Sequence, residues 1–536
     1  MTSFDLVHEE WIPVTREGSR VEISLATAFA DAAVIDGLAV DDPLEAVAVL
    51  RQVLIPAFMD ALNAPDAVDV PRDDRQWAAL WEPGQLSNET QEQISGYLDK
   101  VRDRFDLFHP TQPFGQVAGL RTAKDETKPI SLLIPRLASG NNVPLFSART
   151  EIDPPALSPA QAARALLAAQ CWDTAAIKSG AADDKKAKAG KTTGNPTGPV
   201  GQLGVVIPIG ETLFHTLLLN TPILRNGIRP DDSPWWRRDP PTGLWVSRPA
   251  RGILDLLTWQ SRRVRLVPDP VAGDGAAVTV SRVVLTAGDR LATLPEKIEP
   301  HTAWRQVEKP KENDPPSRPI RHQPGRSAWR GLAALLAADT TTGERRTAPA
   351  LLDQLGGLQV EGHVPDDLPL QVLTVGVRYG NQSAVIEDVM VDGIPLPVVA
   401  LAAADSAVRE TLLTVVGQAE KLRIAANRLG DTLREAEHGD KIPWDKSQRL
   451  GDVLVHRFTP YVHRMLAGLQ REPDRADEAE EAWRTIARRL AWEVAEHALT
   501  GAGPGTFLGR DPDARFGPRL ATAEVSFRHA LNDTLG

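Results

Sequence analysis

The strongest structural signal in the sequence is a run of apolar residues in its last third. They recur at alternating spacings of four and three: Val408, Leu412, Val415, Ala419, Leu422, Ala426, Leu429 and Leu433. Because an α-helix has about 3.6 residues per turn, this spacing places all of them on one face of a single long helix. Such a face must pack against other helices to be stable in water.

Three later segments supply candidate partner helices. They span about 447–470, where Pro460 interrupts the pattern, about 475–500, and about 519–534. In the second of them, one face carries Trp483, Ile486, Leu490 and Val494. The four segments together predict a C-terminal four-helix bundle. We expect a structural or docking role for it rather than a cofactor site, because no pairs of Glu-x-x-His motifs face inward.

The preceding part of the chain, up to about residue 395, mixes short strands, helices and long irregular stretches. The run Gly393-Ile394-Pro395-Leu396-Pro397 is the expected joint. We therefore predict an α+β protein, with a large mixed α/β domain over 1–395 and the helical bundle over 398–536. Residues 183–204 and 309–326 are nearly free of apolar side chains, and we expect the first of these stretches to be a mobile loop.

Charge and cysteine content restrict the class of protein. The 60 Lys and Arg residues against 71 Asp and Glu residues give a formal net charge of −11, which argues against coating of nucleic acid through overall charge. Cys171 is the only cysteine, so an intrachain disulfide and a cysteine-built zinc site are excluded. The first residues are acidic, unlike a secretory signal, and no stretch is suited to span a membrane, so we expect a cytoplasmic chain.

Basic residues nevertheless cluster between Arg225 and Arg265. The cluster includes Arg229, Arg237, Arg238, Arg248, Arg251, Arg262 and Arg263, interleaved with Trp235, Trp236, Trp245 and Trp259. Arginine suits phosphate contacts and tryptophan suits base stacking, which favours a nucleic-acid surface. A solvated arginine-rich face over a tryptophan-filled core explains the same pattern equally well.

Known catalytic motifs are incomplete in this sequence. The string Ala189-Gly190-Lys191-Thr192 ends like a phosphate-binding P-loop, but Lys185 stands where the first glycine belongs. His8-Glu9 begins an HExxH motif in which Ile12 replaces the second histidine. Cys171 follows an alanine-rich helical stretch, which favours a buried structural cysteine over a nucleophile. A stand-alone cytoplasmic hydrolase with an unrecognised active site is the alternative that these observations leave open.

Two β-rich runs predict a hairpin near the end of the first domain. They cover 371–378 and 384–391 and are separated by Tyr379-Gly380-Asn381-Gln382-Ser383. Gly-Asn between such runs is a hairpin-turn signal. The tip is expected to project Asn381 and Gln382, whose side-chain amides both donate and accept hydrogen bonds. A solvated turn without further function is the simpler interpretation of the same residues.

Five segments together resemble the large subunit of the type I-E CRISPR Cascade complex, the CasA family. They are Asp5–Val14 (DLVHEEWIPV), Phe108–Phe114 (FHPTQPF), Gly252–Leu266 (GILDLLTWQSRRVRL), Tyr379–Ser383 (YGNQS) and the closing helical third. The resemblance implies a non-catalytic subunit without cofactors or bound metal. It also implies an RNA-guided surveillance complex that finds a protospacer-adjacent motif on double-stranded DNA, starts strand separation, and offers a platform to a helicase-nuclease.

The resemblance further implies how this chain would meet DNA. Gln382 matches the family's glutamine wedge, with Asn381 and Ser383 on either side of it. A glycine-rich loop that reads the motif from the minor groove corresponds to 178–181, here with fewer glycines, and its expected contacts are Lys178, Ser179 and Gly180. The family's basic finger corresponds to the stretch 286–290, where an ungapped match falls on Gly288 and the basic residue is Arg290.

The remaining implied contacts are with RNA and protein. Phe146, Ser147 and Ala148 match a loop that contacts the 5′ handle of the guide RNA, and the other expected partners are the Cascade subunits and the helicase-nuclease. Some relatives carry a cysteine-rich zinc knuckle in the region matching 269–277, and this sequence has none. A helical scaffold without nucleic-acid contact is a third hypothesis, which predicts that the arginines of 225–265 are dispersed over the surface.

Overall fold

The computed structural model describes residues 2–63, 70–134, 137, 155–270, 277–310, 315–338, 345–402, 406–437, 449–509 and 517–536. The chain divides into two compact units. The first contains Met1–Arg326, Thr341–Val364 and Leu370–Gly393, and the second contains Ser327–Thr340, Pro365–Pro369 and Ile394–Gly536. Two short segments, Ser327–Thr340 and Pro365–Pro369, precede the helical region in the chain but belong to the second unit. The division predicted from the sequence placed both of them in the first domain, 1–395.

The strands are short and form several small sheets. In chain order they are β1 (Ile12–Arg16), β2 (Ser19–Ile23), β3 (Gly37–Leu38), β4 (Lys128–Pro129), β5 (Lys178–Ser179), β6 (Lys191–Thr192), β7 (Val205–Ile209), β8 (Ser247–Arg248), β9 (Arg262–Pro268), β10 (Val280–Ala287), β11 (Arg290–Leu291), β12 (Trp304–Gln306), β13 (Ser317–Pro319), β14 (Arg346–Thr347), β15 (Gln371–Tyr379) and β16 (Ile386–Pro395). Their hydrogen-bonded orders are β2-β1-β3, β4-β10-β5-β6 with β9 also on β10, β11-β8, β13-β12-β14 and β16-β15-β7.

The α-helices are short in the first unit and long at the C-terminal end. They are α1 (Leu25–Ala30), α2 (Pro43–Val49), α3 (Ile55–Leu62), α4 (Asp74–Trp81), α5 (Asn88–Val101), α6 (Pro159–Trp172), α7 (Leu213–Leu219), α8 (Ile253–Leu257), α9 (Leu332–Leu335), α10 (Ala350–Val360), α11 (Ala407–Ala436), α12 (Leu450–Arg471), α13 (Ala476–Thr500), α14 (Gly505–Leu508) and α15 (Leu520–Leu535). The predicted fold class, α+β with a helical C-terminal region, is confirmed.

The second unit is built around α11. Helices α12, α13 and α15 pack on it, and every member of the predicted apolar stripe from Val408 to Leu433 is buried. The expected interruption at Pro460 is wrong, because α12 runs through it. Proline leaves the carbonyl of His456 without its helical partner. Both residues lie on the exposed face, where water can bond that carbonyl, so the helix continues.

Strand β10 organises the part of the first unit that carries most of the predicted site. On one side it pairs antiparallel with β9, with Ala287 opposite Arg262. On the other side Thr286 pairs in parallel with Ser179 of β5, and β5 pairs antiparallel with β6. The end of β10 is thereby placed beside the ribbon of residues 178–192.

Residues 183–204 are held more tightly than their composition predicts. Strand β6 lies within this segment, and Asp184, Thr192 and Asn195 are buried. The carboxylate of Asp184 accepts a hydrogen bond from the indole N–H of Trp245 at 3.0 Å, and the side-chain amide of Asn195 donates to the carbonyl of Thr192 at 2.8 Å. Buried polar side chains can anchor a segment by bonding to one another, and a count of apolar residues does not detect this.

Candidate nucleic-acid interface

The tip of the β15–β16 hairpin is an exposed turn with a defined shape. It is a short 3₁₀ turn, Asn381–Ser383, in which the backbone amide of Ser383 donates to the carbonyl of Gly380 at 2.9 Å. Gln382 and Ser383 have positive φ angles of 53° and 54°, which cost non-glycine residues on the order of 1 kcal/mol each. A Gly-Asn turn would place the positive φ earlier, at Gly380. Asn381 and Gln382 are both exposed, so the tip presents two amide side chains to solvent.

Two hydrogen bonds hold the tip against the last residue of α6 and the segment that follows it. Tyr379, at the end of β15, donates its hydroxyl to the carbonyl of Trp172 at 2.6 Å. The amide of Ala175 donates to the carbonyl of Ser383 at 2.8 Å. Gly201 leaves room for the tyrosine, because a Cβ there would lie 2.0 Å from the tyrosine oxygen. The position of the tip is therefore set by residues that are distant in the sequence.

Lys178, which the resemblance assigns to DNA contact, is buried. Its Nζ lies 2.7 Å from Oδ2 of Asp173, and its side chain is 6% exposed. Arg262 also donates to Oδ2 of Asp173, and its Nη2 donates to the carbonyls of Thr174 and Pro196, each at 2.8 Å. Burial raises the pKa of the Asp173 carboxyl, but the charges of Lys178 and Arg262 outweigh it and the pKa is lowered. The lysine therefore holds the segment in place and does not offer its ammonium group to a ligand in this structure.

The next two residues belong to the β5–β6 ribbon. Ser179 is half-buried and pairs with Thr286 of β10. Gly180 is buried, and its amide donates to the carbonyl of Gly190 at 2.9 Å. A Cβ at position 180 would lie 2.4 Å from the Cβ of Ala187. Glycine is therefore needed here because the chain packs closely on itself at Ala187.

Arg290 lies at the start of β11, just beyond β10. Its Nη2 donates to the carbonyl of Thr193 at 2.7 Å, and its guanidinium carbon lies 3.8 Å from the centroid of the Trp245 ring. Burial lowers the pKa of Arg290, although an arginine stays protonated at neutral pH. Gly288 has no space for a side chain, because a Cβ there would lie 2.4 Å from the backbone nitrogen of the first residue of β9. The basic residue at this end of β10 is therefore Arg290, which lies against Trp245.

The arginines of 225–265 do not form the nucleic-acid surface that their spacing favoured. Six of them are paired with carboxylates: Arg229 with Asp231, Arg237 with Asp60, Arg238 with Asp255, Arg248 with Asp255 and Asp289, Arg262 with Asp173, and Arg263 with Asp289. Trp235, Trp236 and Trp259 are buried. The interleaved pattern is mainly a packing pattern, and the exposed arginines in it are Arg225, Arg229, Arg237 and Arg251.

Other exposed side chains surround the predicted contacts. Four lysines on the connection between β5 and β6 and at the start of β6 are exposed: Lys185, Lys186, Lys188 and Lys191. Ile177 is 62% exposed and lies between Ala175, whose amide bonds the hairpin tip, and the buried Lys178. Sequence reasoning did not single out these exposed residues. The sequence signal for an exposed basic segment was the presence of four lysines within 185–191. A search for catalytic motifs does not detect such a cluster of charge.

Comparisons with known proteins identify the family. A sequence model of the family described as CRISPR-associated protein Cse1 matches residues 5–494. The chain belongs to the Cse1 family. A CasA/Cse1 protein of Thermus thermophilus is 36% identical over 282 residues, which are 51% of this chain and 50% of that protein. The match therefore spans about half the length of that curated relative.

Solved structures agree with membership of the Cse1 family. The crystal structure of Thermobifida fusca Cse1 is similar with a TM-score of 0.84 and 32% identity, covering 99% of this chain and 98% of that chain. A chain of a structure described as a CRISPR RNA-guided surveillance complex shares the fold with a TM-score of 0.65 and 20% identity, covering 99% of this chain and 100% of that chain. The family resemblance inferred from the sequence is confirmed.

Some expectations for this Cse1-family chain stay predictions. Phe146, Ser147 and Ala148, the implied guide-RNA contacts, lie outside the described residues. Within the residues that the structure describes, no group of three or more His, Cys, Asp and Glu side chains could hold a metal ion. No helix among them is long and apolar enough to cross a membrane.

Cys171 is buried, as predicted, and its Sγ lies 2.6 Å from Nε2 of Gln52.

Proposed function

We propose that this Cse1-family chain is the large, non-catalytic subunit of an RNA-guided antiviral surveillance complex of the type I-E Cascade class. In this role it recognises the protospacer-adjacent motif on double-stranded DNA, separates the first base pairs to start R-loop formation, and helps to recruit the helicase-nuclease. Its partners are the 5′ handle of the guide RNA, the target duplex and the other Cascade subunits. The observation that carries the proposal is the exposed Gln382 at a tethered hairpin tip.

A side chain that opens a duplex must be exposed, held in place and able to bond to an unpaired base. Gln382 is exposed, and the turn that carries it is closed by hydrogen bonds and tied to Ala175. Its amide can both donate and accept. Unstacking one base step costs a few kcal/mol, whereas exchange of a DNA duplex for an RNA–DNA heteroduplex is nearly balanced. Opening of the first pair therefore controls whether the exchange proceeds.

The neighbouring residues supply the rest of the proposed contact. We assign DNA contacts to Asn381, Ser383, Ser179 and Arg290, whereas the buried Gly180 acts indirectly, by letting the β5–β6 ribbon pack closely on Ala187. The minor groove distinguishes mainly A·T from G·C pairs, so recognition through it is expected to tolerate several motifs. Ile177 adds an exposed apolar side chain of the kind that minor-groove proteins insert between bases. Lys178 acts in this proposal through Asp173, by holding the segment that bonds the hairpin tip.

The variant Gln382→Ala tests the proposal in the assembled complex. Strand opening at a matched target, followed by the fluorescence of 2-aminopurine beside the motif, should slow by about tenfold, which corresponds to about 1.4 kcal/mol. Copurification with guide RNA and partner subunits should not change. Gln371→Ala is the matched control, because Gln371 is exposed at the opposite end of β15. Opening at the normal rate by Gln382→Ala would reject the wedge.

Purification distinguishes the alternative of a stand-alone hydrolase. A surveillance subunit expressed with its neighbouring proteins should elute with small RNA and several other chains. A hydrolase should elute alone and retain activity after that step. The two hypotheses therefore predict different compositions of the eluted protein, and the test can be made without knowing which protospacer-adjacent motif is recognised.

A further inference from the structure

We propose that residues 184–191, which we call the lysine loop, bind the phosphate backbone of duplex DNA beside the motif site. The inference rests on the proposed function and extends it, because neither the resemblance nor the family comparison assigns a role to this loop. The lysine loop would contribute affinity for DNA that does not depend on the base sequence, whereas the hairpin tip would open the strands.

The lysine loop concentrates positive charge on a chain that is acidic overall. Lys185, Lys186, Lys188 and Lys191 are exposed, and the chain carries a formal net charge of −11. The carboxylate within the loop, Asp184, is buried and bonded to Trp245, and the exposed Asp183 precedes the loop, so residues 183–191 carry four lysines against two carboxylates, a formal local charge of +2. An acidic protein can bind DNA when its phosphate contacts are confined to one local basic face.

Hydrogen bonds give the lysine loop a fixed shape. Oδ1 of Asp184 accepts from the amide of Lys186 at 2.9 Å, and the carbonyl of Asp184 accepts from the amide of Ala187 at 3.0 Å. Lys188 and Lys191 exchange backbone hydrogen bonds at 2.9 and 3.0 Å. Ala189 and Gly190 complete the turn with positive φ angles of 51° and 72°. The lysines are therefore carried by an ordered turn, so less conformational entropy is lost when they bind.

Trp245 joins the lysine loop to Arg290. The ammonium group of Lys186 lies 4.2 Å from the centroid of the Trp245 ring and donates to the carbonyl of that residue at 2.9 Å. The guanidinium carbon of Arg290 lies 3.8 Å from the same centroid. Lys186 is thereby used to hold the loop, and the side chains left to reach a ligand are Lys185, Lys188 and Lys191.

Duplex phosphate is the ligand that these contacts favour. The loop belongs to the same ribbon as Ser179 and Gly180, since Gly180 donates to the carbonyl of Gly190 at 2.9 Å. Ser179 also pairs with Lys191 across β5 and β6, so a duplex in contact with Ser179 would lie beside that lysine. Lysine binds phosphate as a point charge and does not read bases. The contribution of the lysine loop to the free energy of DNA binding should therefore be equal for all base sequences and should weaken as salt is added.

The experiment compares duplex binding by the assembled complex carrying Lys185→Gln, Lys188→Gln and Lys191→Gln with binding by the unmodified complex. The dissociation constant is measured from about 50 to about 300 mM KCl for duplexes with and without the motif. The slope of log affinity against log salt is negative, and its magnitude should decrease by about 2 to 3, because each phosphate contact contributes about 0.9. Affinity for both duplexes should fall by the same factor, so the ratio between them is unchanged.

Lys100→Gln, Lys309→Gln and Lys421→Gln together form the charge-matched control, because these lysines are exposed and lie outside the lysine loop. The control should leave the slope unchanged. An unchanged slope in the loop variant overturns the inference, and loss of a partner subunit without a change in duplex affinity also overturns it by showing that the loop binds an acidic protein instead. Failure of the proposed function would be seen separately, as normal strand opening by Gln382→Ala.

Discussion

The hydroxyl of Tyr379 donates to the carbonyl of Trp172 across 207 positions of sequence, at 2.6 Å. Trp172 is the last residue of α6 and is fully buried, whereas Tyr379 ends the first strand of the hairpin. Burial raises the pKa of Tyr379, so the hydroxyl keeps its proton and remains a donor. This bond connects the hairpin stem to the helix that precedes the proposed motif-reading segment.

Removal of this bond should weaken both the fold and the proposed wedge. Tyr379→Phe keeps the ring and leaves the buried carbonyl of Trp172 without its partner, which should lower the free energy of unfolding by about 1–2 kcal/mol. Denaturant titration measures this, and strand opening should slow as well because the tip is less firmly positioned. Tyr461→Phe is the control, since the Tyr461 hydroxyl accepts an exposed hydrogen bond from Arg489 at 3.3 Å. Equal stability of the two variants would contradict the prediction.

Gly201→Ala should disturb the same contact by steric conflict. The added Cβ would lie 2.0 Å from the Tyr379 oxygen, and overpacking of this kind costs about 1–3 kcal/mol. Thermal unfolding should show the loss, and Gly393→Ala is the control, because a Cβ there meets nothing within 4 Å. The double variant with Tyr379→Phe should lose less stability than the sum of the single changes, since neighbouring residues couple. Strict additivity would show that Gly201 acts elsewhere.

Asp173→Asn should destabilise the protein in a way that depends on pH. The carboxylate is shared by Lys178 and Arg262, and leaving buried cations uncompensated costs about 3–5 kcal/mol. Burial raises the pKa of Asp173, but the two cations outweigh it and hold the pKa below its ordinary 3.8. A carboxyl whose pKa is lowered on folding stabilises the protein above the unfolded-state pKa and loses that contribution as pH falls through the folded-state pKa.

The difference in unfolding free energy between wild type and Asp173→Asn should therefore be constant above about pH 4 and shrink below it. Urea titrations between about pH 2 and about pH 7 measure this difference. The matched variant Asp231→Asn removes an exposed carboxylate, 64% accessible and 3.4 Å from Arg229, and should cost less than about 1 kcal/mol at every pH. A difference for Asp173→Asn that grows as the pH falls would contradict the assignment.

Cys171 should be inert in the native protein. Burial raises the pKa of the thiol to about 12, and the thiolate is the reactive form. A thiol reagent at about pH 8 should label the folded protein only as fast as the chain unfolds, and should label one cysteine per chain in guanidinium chloride. Rapid stoichiometric labelling without denaturant would contradict the prediction.

Local patterns predicted the elements whose signals lie within one stretch of chain. The apolar stripe from Val408 to Leu433 identified α11 because one helical face repeats with the period of the helix itself. The β-rich runs identified β15 and β16 for the equivalent reason. The prediction of a break at Pro460 was wrong because the unpaired carbonyl is exposed to water, and exposure of a helix face depends on its packing.

The sequence by itself determined the fold class, the family and the exposed hairpin tip, because periodicity, turn chemistry and motif order are local properties. Only the tertiary structure decided which charged groups face solvent. Lys178 and Arg262 are buried because Asp173 accepts both of them, although Arg262 lies 89 positions away from it in the chain. Lys186 and Arg290, which are 104 positions apart in the chain, both lie against the ring of Trp245. Burial and pairing of charge arise from contacts between distant segments, and the order of residues alone does not specify those contacts.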